Sequence, residues 1–295
     1  MLRTLFRIAL LGVLIALAVN AAPLIYGSAY VGSTGPATLY RISPVNGAAT
    51  AIGPIGFARV GSLDFSPNGT LYGVGSNGST TVLITINTTT GAGTQVGSMG
   101  IANNPFQDIA FRPSDGTLFG YASGSLYTIN TATGLATLVG PDGLGFPDGD
   151  GISFLGSTLY YANQTALYTL NQSTGAATSV VSMTYPAAFG STENEDRPPA
   201  MKFDHTTGIL WAIVVNGDSG SAQQFSLATI NIGTGVATFI GATQTGLDGM
   251  AITQNIAPPT VPALTPSALV ALAILLGALT LIILRSSQPR ASRLS

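Results

Sequence analysis

The stretch LYTINTATGLATLVG, residues 126–140, contains two runs of strand-forming residues separated by a short polar segment. Residues 126–129 combine aromatic and β-branched side chains, which favour a strand, and residues 136–139 return as a second strand. Asn130 begins the turn between them, and Gly134 suits a loop position at positive φ, where a side chain would clash. The stretch therefore predicts a β-hairpin.

The same pattern occurs four more times, as LYRISPVNGAATAIG (39–53), LITINTTTGAGTQVG (83–97), LYTLNQSTGAATSVV (167–181) and LATINIGTGVATFIG (227–241). The copies begin about 40 residues apart, except for a last interval of about 60, and such a period indicates an array of supersecondary units. The sequence therefore predicts a repeat architecture.

A second hairpin pattern lies between these copies. It reads GSLDFSPNGTLYG (61–73), QDIAFRPSDGTLFG (107–120), DGISFLGSTLYY (150–161) and AMKFDHTTGILWA (200–212). Each stretch is again a strand, a turn with Gly or Pro, and a strand. Each repeat therefore holds four strands, which is the size of one propeller blade.

The two chain ends complete the count of repeats. LDGMAITQ (247–254) matches the first half of the second pattern, and LIYGSAYVG (24–32) supplies the missing half. Pairing of these ends forms one more blade and closes the ring without an exposed edge there. We therefore predict an all-β fold, a five-bladed β-propeller over residues 22–254 closed by the N- and C-terminal strands. A β-helix or a pair of sandwiches competes, but neither needs a split repeat.

The third strand of each repeat supports blades packed face to face. Both of its alternating positions are apolar, whereas a sheet with one wet face alternates apolar and polar residues. These positions hold Leu39, Leu83, Leu126, Leu167 and Leu227 on one face and Ile42, Ile86, Ile129, Leu170 and Ile230 on the other.

The repeat, LY-x-I-x-x-x-TG-x-AT-x-x-G, resembles that of exported bacterial β-propeller proteins of unknown function. The resemblance covers roughly residues 24–254. It implies the propeller fold more than any activity.

The N-terminus is typical of a secretory signal peptide, predicted here as residues 1–21. Arg3 and Arg7 form a basic region, residues 8–19 are apolar, and small residues precede a cleavage site placed after Ala21. An uncleaved membrane anchor is the alternative, but the apolar run is short for a span.

The C-terminus predicts a membrane anchor. Residues 255–266 form a Pro-rich spacer, and residues 267–285 a transmembrane helix whose apolar run is about 25 Å long. Arginines in and before the basic tail, residues 286–295, favour the cytoplasmic side, so we expect the propeller on the extracytoplasmic side. A buried core helix is the alternative.

VPALTPSALVALAILLGALTLIILR (261–285) resembles bacterial C-terminal sorting signals of the IPTL and PEP-CTERM class, which join a short Pro-containing motif, an apolar helix and a basic tail. Ala263 stands where Thr is usual. The resemblance implies an exosortase-like sorting protease as a partner and a place at the cell surface.

Charge and composition exclude several functions. All 12 acidic residues lie between Pro23 and Pro266, where the only basic residues are Arg41, Arg59, Arg112, Arg197 and Lys202. This acidic balance of charge predicts no nucleic-acid partner. Cysteine is absent, no GxxxxGK[ST], HExxH or GxSxG motif occurs, and the single histidine, His205, lies in a turn. We therefore expect no enzyme activity and no cofactor.

Aspartates at the innermost strands are the candidate ligand-binding residues. Asp108, Asp150 and Asp248 begin or flank such strands and are expected to converge near one mouth of the channel. Converging carboxylates can hold Ca²⁺ or serve a carbohydrate-active hydrolase as acid and base. Residues 142–151 resemble a calcium loop loosely. The alternative is turn chemistry, with Asp side chains bonded to nearby backbone.

Two insertions account for the longest repeat. Residues 182–199 carry Glu193, Glu195 and Asp196 as further candidate ligands, and residues 216–225 are small and polar. Strand order predicts that both rise from the same face of the disc. The function predicted is a non-catalytic, membrane-anchored or surface-sorted module that binds a protein or glycan. A carbohydrate-active hydrolase with carboxylates at the channel, and a matrix component, remain as alternatives.

Overall fold

The computed structural model describes residues 22–30, 35–101, 106–145, 151–190, 196–217 and 223–253. Within these ranges the regular structure is β, apart from one short 3-10 helix, Ala187–Phe189. The strands are β1 Ile25–Ala29, β2 Pro36–Ile42, β3 Ala49–Phe65, β4 Leu71–Ser76, β5 Thr81–Ile86, β6 Gly93–Ser98, β7 Phe106–Phe111, β8 Leu118–Ala122, β9 Ser125–Ile129, β10 Ala136–Pro141, β11 Gly151–Leu155, β12 Thr158–Ala162, β13 Ala166–Leu170, β14 Ala177–Ser182, β15 Arg197–Phe203, β16 Leu210–Val215, β17 Phe225–Ile230, β18 Ala237–Ala242 and β19 Leu247–Ile252.

The strands form antiparallel sheets that follow chain order. Three sheets have four strands each, β7 to β10, β11 to β14 and β15 to β18. The fourth sheet has seven strands in the order β19-β1-β2-β3-β4-β5-β6. The predicted all-β fold of four-stranded units is thus confirmed in the described residues.

The long strand β3 departs from the sequence prediction, which placed two separate strands here. Its first half pairs with β2, from Ile42↔Ala49 to Pro36↔Ala58, and its second half pairs with β4, from Ser62↔Val74 to Phe65↔Leu71. The chain passes from one four-stranded unit to the next without a loop, because Gly56 at φ 83 and Arg59 at φ 50 bend it in place.

The chain ends pair as the split repeat predicts. Strand β19 lies antiparallel to β1, with Ile252 opposite Ile25 and Met250 opposite Gly27. The innermost strands pack in a closed circle: β3 against β7, β7 against β11, β11 against β15, β15 against β19, and β19 against β3. These strands therefore surround a central axis.

Apolar side chains on both faces of the third strands fill the spaces between sheets. Leu39, Leu83, Leu126, Leu167 and Leu227 are wholly buried on one face, and the opposite positions from Ile42 to Ile230 are also buried. The predicted face-to-face packing is thus confirmed.

The third and fourth strands of each unit form a hairpin, here called the c–d hairpin, and its turn is the one that the sequence predicts. Asn130 accepts hydrogen bonds through Oδ1 from the backbone N–H groups of Ala132 and Thr133, at 2.9 and 3.1 Å. Gly134 follows at φ 83, as expected of this loop position.

The turn glycine also forms the seam between neighbouring sheets. A Cβ on Gly134 would lie 2.6 Å from the carbonyl oxygen of Gly97 on β6, so only glycine permits this approach. The same contact recurs along the chain and joins its two ends. The pairs are Gly91 with Gly53, Gly134 with Gly97, Gly175 with Gly140, Gly235 with Ser182, and Gly47 with Gly241.

A β-bulge precedes the seam position on each outer strand. Leu126 pairs with Gly140 and Tyr127 with Leu138, so Val139 is the extra residue. Val139 packs against the neighbouring core, as do its equivalents Ile52, Val96 and Ile240. The bulge thus explains why the motif ends in an apolar residue followed by glycine.

The predicted signal peptide 1–21, spacer 255–266, transmembrane helix 267–285 and tail 286–295 lie outside the described residues. Within residues 22–253, as far as they are described, no helix has the length and apolar character that crossing a membrane requires.

Candidate functional site

Polar side chains on the innermost strands serve the backbone of their neighbours. Asp64 on β3 accepts hydrogen bonds from the N–H groups of Phe65, at 2.9 Å, and Phe111 on β7, at 2.7 Å. Ser153 on β11 accepts one from the N–H of Phe203 on β15, at 2.9 Å. Because the sheets diverge from the axis, side chains supply the bonds that backbone partners would otherwise make.

Asp108 on β7 belongs to the same buried layer. It accepts hydrogen bonds from the N–H groups of Ile109 and Ile152, at 2.8 and 2.9 Å. Lys202 Nζ lies 2.5 Å from Asp108 Oδ2 and donates a second hydrogen bond to the carbonyl of Ile152, at 2.9 Å. Both side chains are almost inaccessible, at 2% for Lys202 and 0% for Asp108. This ion pair links β7 to β15 across the axis.

Burial raises the pKa of both carboxyl groups in this layer. It raises the pKa of Asp64 to about 6, although the Lys202 charge and the hydrogen bonds from Phe111 and Phe65 oppose the shift. Burial also raises the pKa of Asp108 to about 7, again against Lys202. Both carboxyl groups accept hydrogen bonds from neighbouring residues, so we interpret this buried layer as structural.

The structure places Asp108 and Asp248, predicted to converge at one mouth, in different surroundings. Asp108 is buried against Lys202, whereas Asp248 is half-buried at the start of β19 and has other partners. The physical reason is that Asp108 satisfies backbone N–H groups, which draws it into the wall. Asp150 lies outside the described residues.

A second polar layer lies at the channel mouth where the innermost strands begin. The Tyr30 hydroxyl donates a hydrogen bond to Asp248 Oδ2 at 2.6 Å, and burial followed by the Asp248 charge raises the tyrosine pKa. Burial raises the pKa of Asp248, and the Tyr30 hydrogen bond and the charges of Arg197 and Arg59 oppose this. We call Tyr30, Arg59, Arg197 and Asp248 the mouth cluster, and all four are half-exposed.

The two insertions rise from the same face, as predicted. A Cβ on Gly190 in the first would lie 3.3 Å from Gln224 Oε1 in the second. The first insertion is anchored: Phe189 is buried and stacks edge-on against Phe239 at 5.6 Å. Tyr185 packs near Phe189, and burial followed by the Asp196 charge raises its pKa.

Of the predicted ligands in that insertion, Asp196 is buried at the start of β15. Glu193 and Glu195 lie outside the described residues. The insertion therefore places an acid beside the mouth, next to Arg197.

The loosely calcium-like stretch is described only in its first part. Asp142 is buried, accepts a hydrogen bond from the Tyr121 hydroxyl and another from the N–H of Leu144 at 2.9 Å. Among the described residues no group of three or more His, Asp or Glu side chains is placed to hold a metal ion. The half-buried His205 has a pKa lowered by burial, although the Asp204 charge opposes this.

A cavity of about 310 Å³ lies at the opposite ends of β3 and β7. Tyr72, Asn68, Pro113 and Asp115 line part of it. Its polar groups are engaged within the turns: Asn68 Oδ1 accepts the N–H of Thr70 at 3.2 Å, and Asp115 pairs with Arg112 at 2.6 Å. This leaves the mouth cluster as the stronger candidate site.

Sequence reasoning did not single out Lys202, Tyr30, Arg59 or Arg197 as site residues. Lys202 is the sole lysine of the chain and lies between the apolar residues Met201 and Phe203 of β15, at the position that Asp64 occupies in its own repeat. That placement indicates a charged side chain that points toward the axis. Tyr30 and Arg59 carry no such signal, because Tyr30 follows β1 and Arg59 lies in the bent part of β3.

The chain matches the model of a family described as a repeat of unknown function, DUF6923, over residues 16–180. The chain belongs to this family. No curated protein matches it.

Two solved structures resemble this DUF6923 member. One is a chain from the crystal structure of a nidogen/laminin complex, with a TM-score of 0.50 and 13% identity over 79% of this chain and 98% of that one. The other is TolB from Acinetobacter baumannii, with a TM-score of 0.46 and 14% identity over 76% of this chain and 54% of that one. The first likeness shows the fold alone, which is propeller-like.

Proposed function

We propose that this chain is a five-bladed propeller that acts as a non-catalytic binding module and takes its ligand at the channel mouth. Two observations support the blade count. The innermost strands β3, β7, β11, β15 and β19 pack in a closed circle. The seam contact repeats from each unit to the next and returns from Gly241 to Gly47.

The division of the axis into two layers is the observation that carries the binding function. Asp64, Asp108 and Lys202 are buried, and their polar atoms serve the backbone and one another. The mouth cluster is only half-buried and groups donors and acceptors on the face that also carries both insertions. Accessible polar groups held on a rigid scaffold are the usual basis of recognition.

A glycan array and a peptide array probed with the full chain in detergent test this proposal. We expect a ligand whose capture falls in the Asp248→Asn and Arg197→Gln variants and is unchanged in Arg112→Gln, which alters the opposite end of an innermost strand. Capture that is indifferent to the mouth cluster contradicts the proposed site. Hydrolysis of any glycan, lost in Asp108→Asn or Asp248→Asn, contradicts the non-catalytic assignment.

We also propose that the protein is exported and anchored with the propeller outside the cytoplasm. The signal-like residues 1–21 and the apolar residues 267–285 with their arginines support this. Mass spectrometry of the mature protein is expected to show a chain that begins at Ala22, and alkaline extraction to leave it in the membrane. A soluble chain with an intact N-terminus contradicts both. A shortened C-terminus that depends on an exosortase-like protease identifies a sorted protein.

A further inference from the structure

Aromatic side chains of neighbouring sheets meet in pairs toward the face opposite the mouth. Three of these pairs have ring centroids between 5.3 and 5.6 Å apart. They are Tyr26 with Phe65, Tyr72 with Phe111, and Phe119 with Phe154. The first member of each pair holds the second position of β1, β4 or β8, so the three pairs are equivalent in the repeat.

An arginine of the chain covers two of these three pairs. The Arg41 guanidinium lies 4.6 Å from the ring centroid of Tyr26, and the Arg112 guanidinium lies 5.4 Å from that of Phe119. Both distances suit a cation–π interaction, in which a cation is attracted to the face of an aromatic ring. Arg41 also donates a hydrogen bond to the Tyr26 hydroxyl at 3.0 Å. Arg112 donates one to Gln172 Oε1 in the next sheet at 2.8 Å.

The remaining ring, Tyr72, has small residues at both places from which an arginine could cover it. Thr85 lies opposite Tyr72 in the pairing of β4 with β5, which is the place of Arg41 in the pairing of β1 with β2. Ser66 directly follows β3, which is the place of Arg112 after β7. The cavity of about 310 Å³ opens here, with Ser66 and Tyr72 in its lining. The cavity therefore corresponds to the space that an arginine side chain fills in the two neighbouring repeats.

The charges around this cavity suit a cation. Its lining residues all belong to the described part of the chain, and they include the acid Asp115 but no basic residue. The hydrogen bond from Arg112 holds the pKa of the Asp115 carboxyl well below its usual range, so this acid is ionised near neutral pH. The 12 acidic residues between Pro23 and Pro266 outnumber the bases there, so the wider field also attracts cations.

We propose that this cavity binds an arginine side chain from a basic segment of a protein partner, at a site separate from the mouth cluster. The guanidinium stacks on Tyr72 as Arg41 and Arg112 stack on their own rings. Thr131 lines the cavity and follows its turn asparagine, as Gln172 does in the next repeat, so its hydroxyl is placed to accept a hydrogen bond. Arginine fits better than lysine, because its planar and weakly hydrated group stacks on aromatic faces.

Ligand-observed NMR titration of the full chain in detergent tests the chemistry. The probe is a pentapeptide whose central arginine is flanked by glycine and serine, with acetylated and amidated ends that remove the terminal charges. A matched peptide with citrulline keeps the shape of the side chain but lacks its charge. We expect the arginine peptide to bind about fivefold or more tightly than the citrulline peptide, with a lysine peptide between them. Equal binding of the arginine and citrulline peptides overturns the proposal, and this comparison needs no variant of the chain.

Thr85→Arg tests the position of the site. The new side chain would lie opposite Tyr72 as Arg41 lies opposite Tyr26, so it should fill the cavity and weaken binding of the arginine peptide about tenfold or more. We expect the midpoint of thermal unfolding to stay or rise. Ser173→Arg adds the same charge in an exposed turn of another repeat and should leave binding unchanged. Unchanged binding in a folded Thr85→Arg variant overturns the proposal.

Further outcomes separate this site from the proposed function at the mouth. Asp248→Asn should leave binding of the arginine peptide unchanged, and a loss there assigns the peptide to the mouth and overturns this inference alone. A neutral oligosaccharide whose binding is lost in Thr85→Arg, without binding of the arginine peptide, assigns the cavity to a sugar. Self-association that Thr85→Arg abolishes, again without peptide binding, assigns it to a second copy of the chain. Either result overturns the proposal and leaves the mouth cluster to its own test.

Discussion

At the scale of single residues, the Asp108–Lys202 pair shows how the axis is filled. Taking two charges out of water costs several kcal/mol, and only close geometry with further hydrogen bonds compensates for it. Asp108 has those bonds from Ile109 and Ile152, and Lys202 has one to the Ile152 carbonyl. The pair therefore holds β7 against β15 as long as both partners are present.

Removing one partner should be far worse than removing both charges. Lys202→Met leaves the Asp108 carboxylate buried without its cation, and we expect a loss of about 3–5 kcal/mol of unfolding free energy. Lys202→Met with Asp108→Asn should regain much of that loss. Urea unfolding followed by fluorescence of Trp211, the sole tryptophan, measures both. A double variant no better than the single one contradicts the pair's role.

Asp64 gives the stability a dependence on pH. Its pKa is about 6 in the folded chain, raised by burial, against about 3.9 in an unfolded chain. Between these values the folded chain binds more protons, so stability rises as pH falls through this window and declines as pH rises.

Asp64→Asn should reduce this slope between about pH 4 and 6, while Asp108, whose pKa burial raises to about 7, keeps a slope of the same sign. The change also removes one acceptor, because an amide has a single oxygen for the N–H groups of Phe65 and Phe111. We expect a loss of about 1–2 kcal/mol at low pH. Urea midpoints across the pH series measure both effects. An unchanged slope in the variant contradicts the assignment.

At the scale of elements, the c–d hairpin is both a folding unit and a connector. Its asparagine organises the turn, its bulge directs an apolar side chain into the core, and its glycine meets the next sheet. Each repeat thus carries in one short stretch the contacts that order its neighbours.

Gly134→Ala should destabilise the chain more than an alanine at a similar φ elsewhere. Its Cβ would meet the Gly97 carbonyl at 2.6 Å, whereas Gly69 at φ 84 has nothing within 4 Å of an added Cβ. We expect a loss of about 1–2 kcal/mol for Gly69→Ala, from backbone conformation alone. A clearly larger loss is expected for Gly134→Ala. Equal losses for the two variants contradict the seam contact.

The sequence could predict the hairpins and the doubly buried third strands because both depend on local periodicity and turn chemistry. It could not predict the continuous β3, because Gly53 and Gly56 suggest a break that the structure uses as a bend. Nor could the sequence predict how deeply each aspartate side chain is buried. Asp108 lies three residues before Phe111, and Asp248 four before its equivalent Ile252, so the pleat directs them differently.

At the scale of the whole molecule, pairing of the chain ends brings together residues of the mouth cluster from both ends of the chain. The mouth cluster combines Tyr30, which follows β1, with Asp248 on β19, so it exists only when β1 and β19 pair. Ring closure is thus a condition for the proposed site.

A disulfide between the ends tests closure, and the absence of native cysteine makes the test clean. The Thr253 N–H donates to the Leu24 carbonyl at 3.0 Å, which places these residues opposite one another just beyond the paired strands. Leu24→Cys with Thr253→Cys should form an intramolecular disulfide worth about 3–5 kcal/mol. The single Leu24→Cys variant serves as the control. Disulfides that form only between molecules contradict closure.

Hydrogen exchange of the full chain with and without the strongest array ligand measures which layer of the axis takes part in binding. In our interpretation, the mouth cluster binds and the buried layer of Asp64, Asp108 and Lys202 supports the strands. We predict slower exchange at the end of β1, at residues 57–62 and at the starts of β15 and β19, with no change at residues 66–72 and 112–117. Slowing confined to those two turns, which border the cavity on the opposite face, would contradict it.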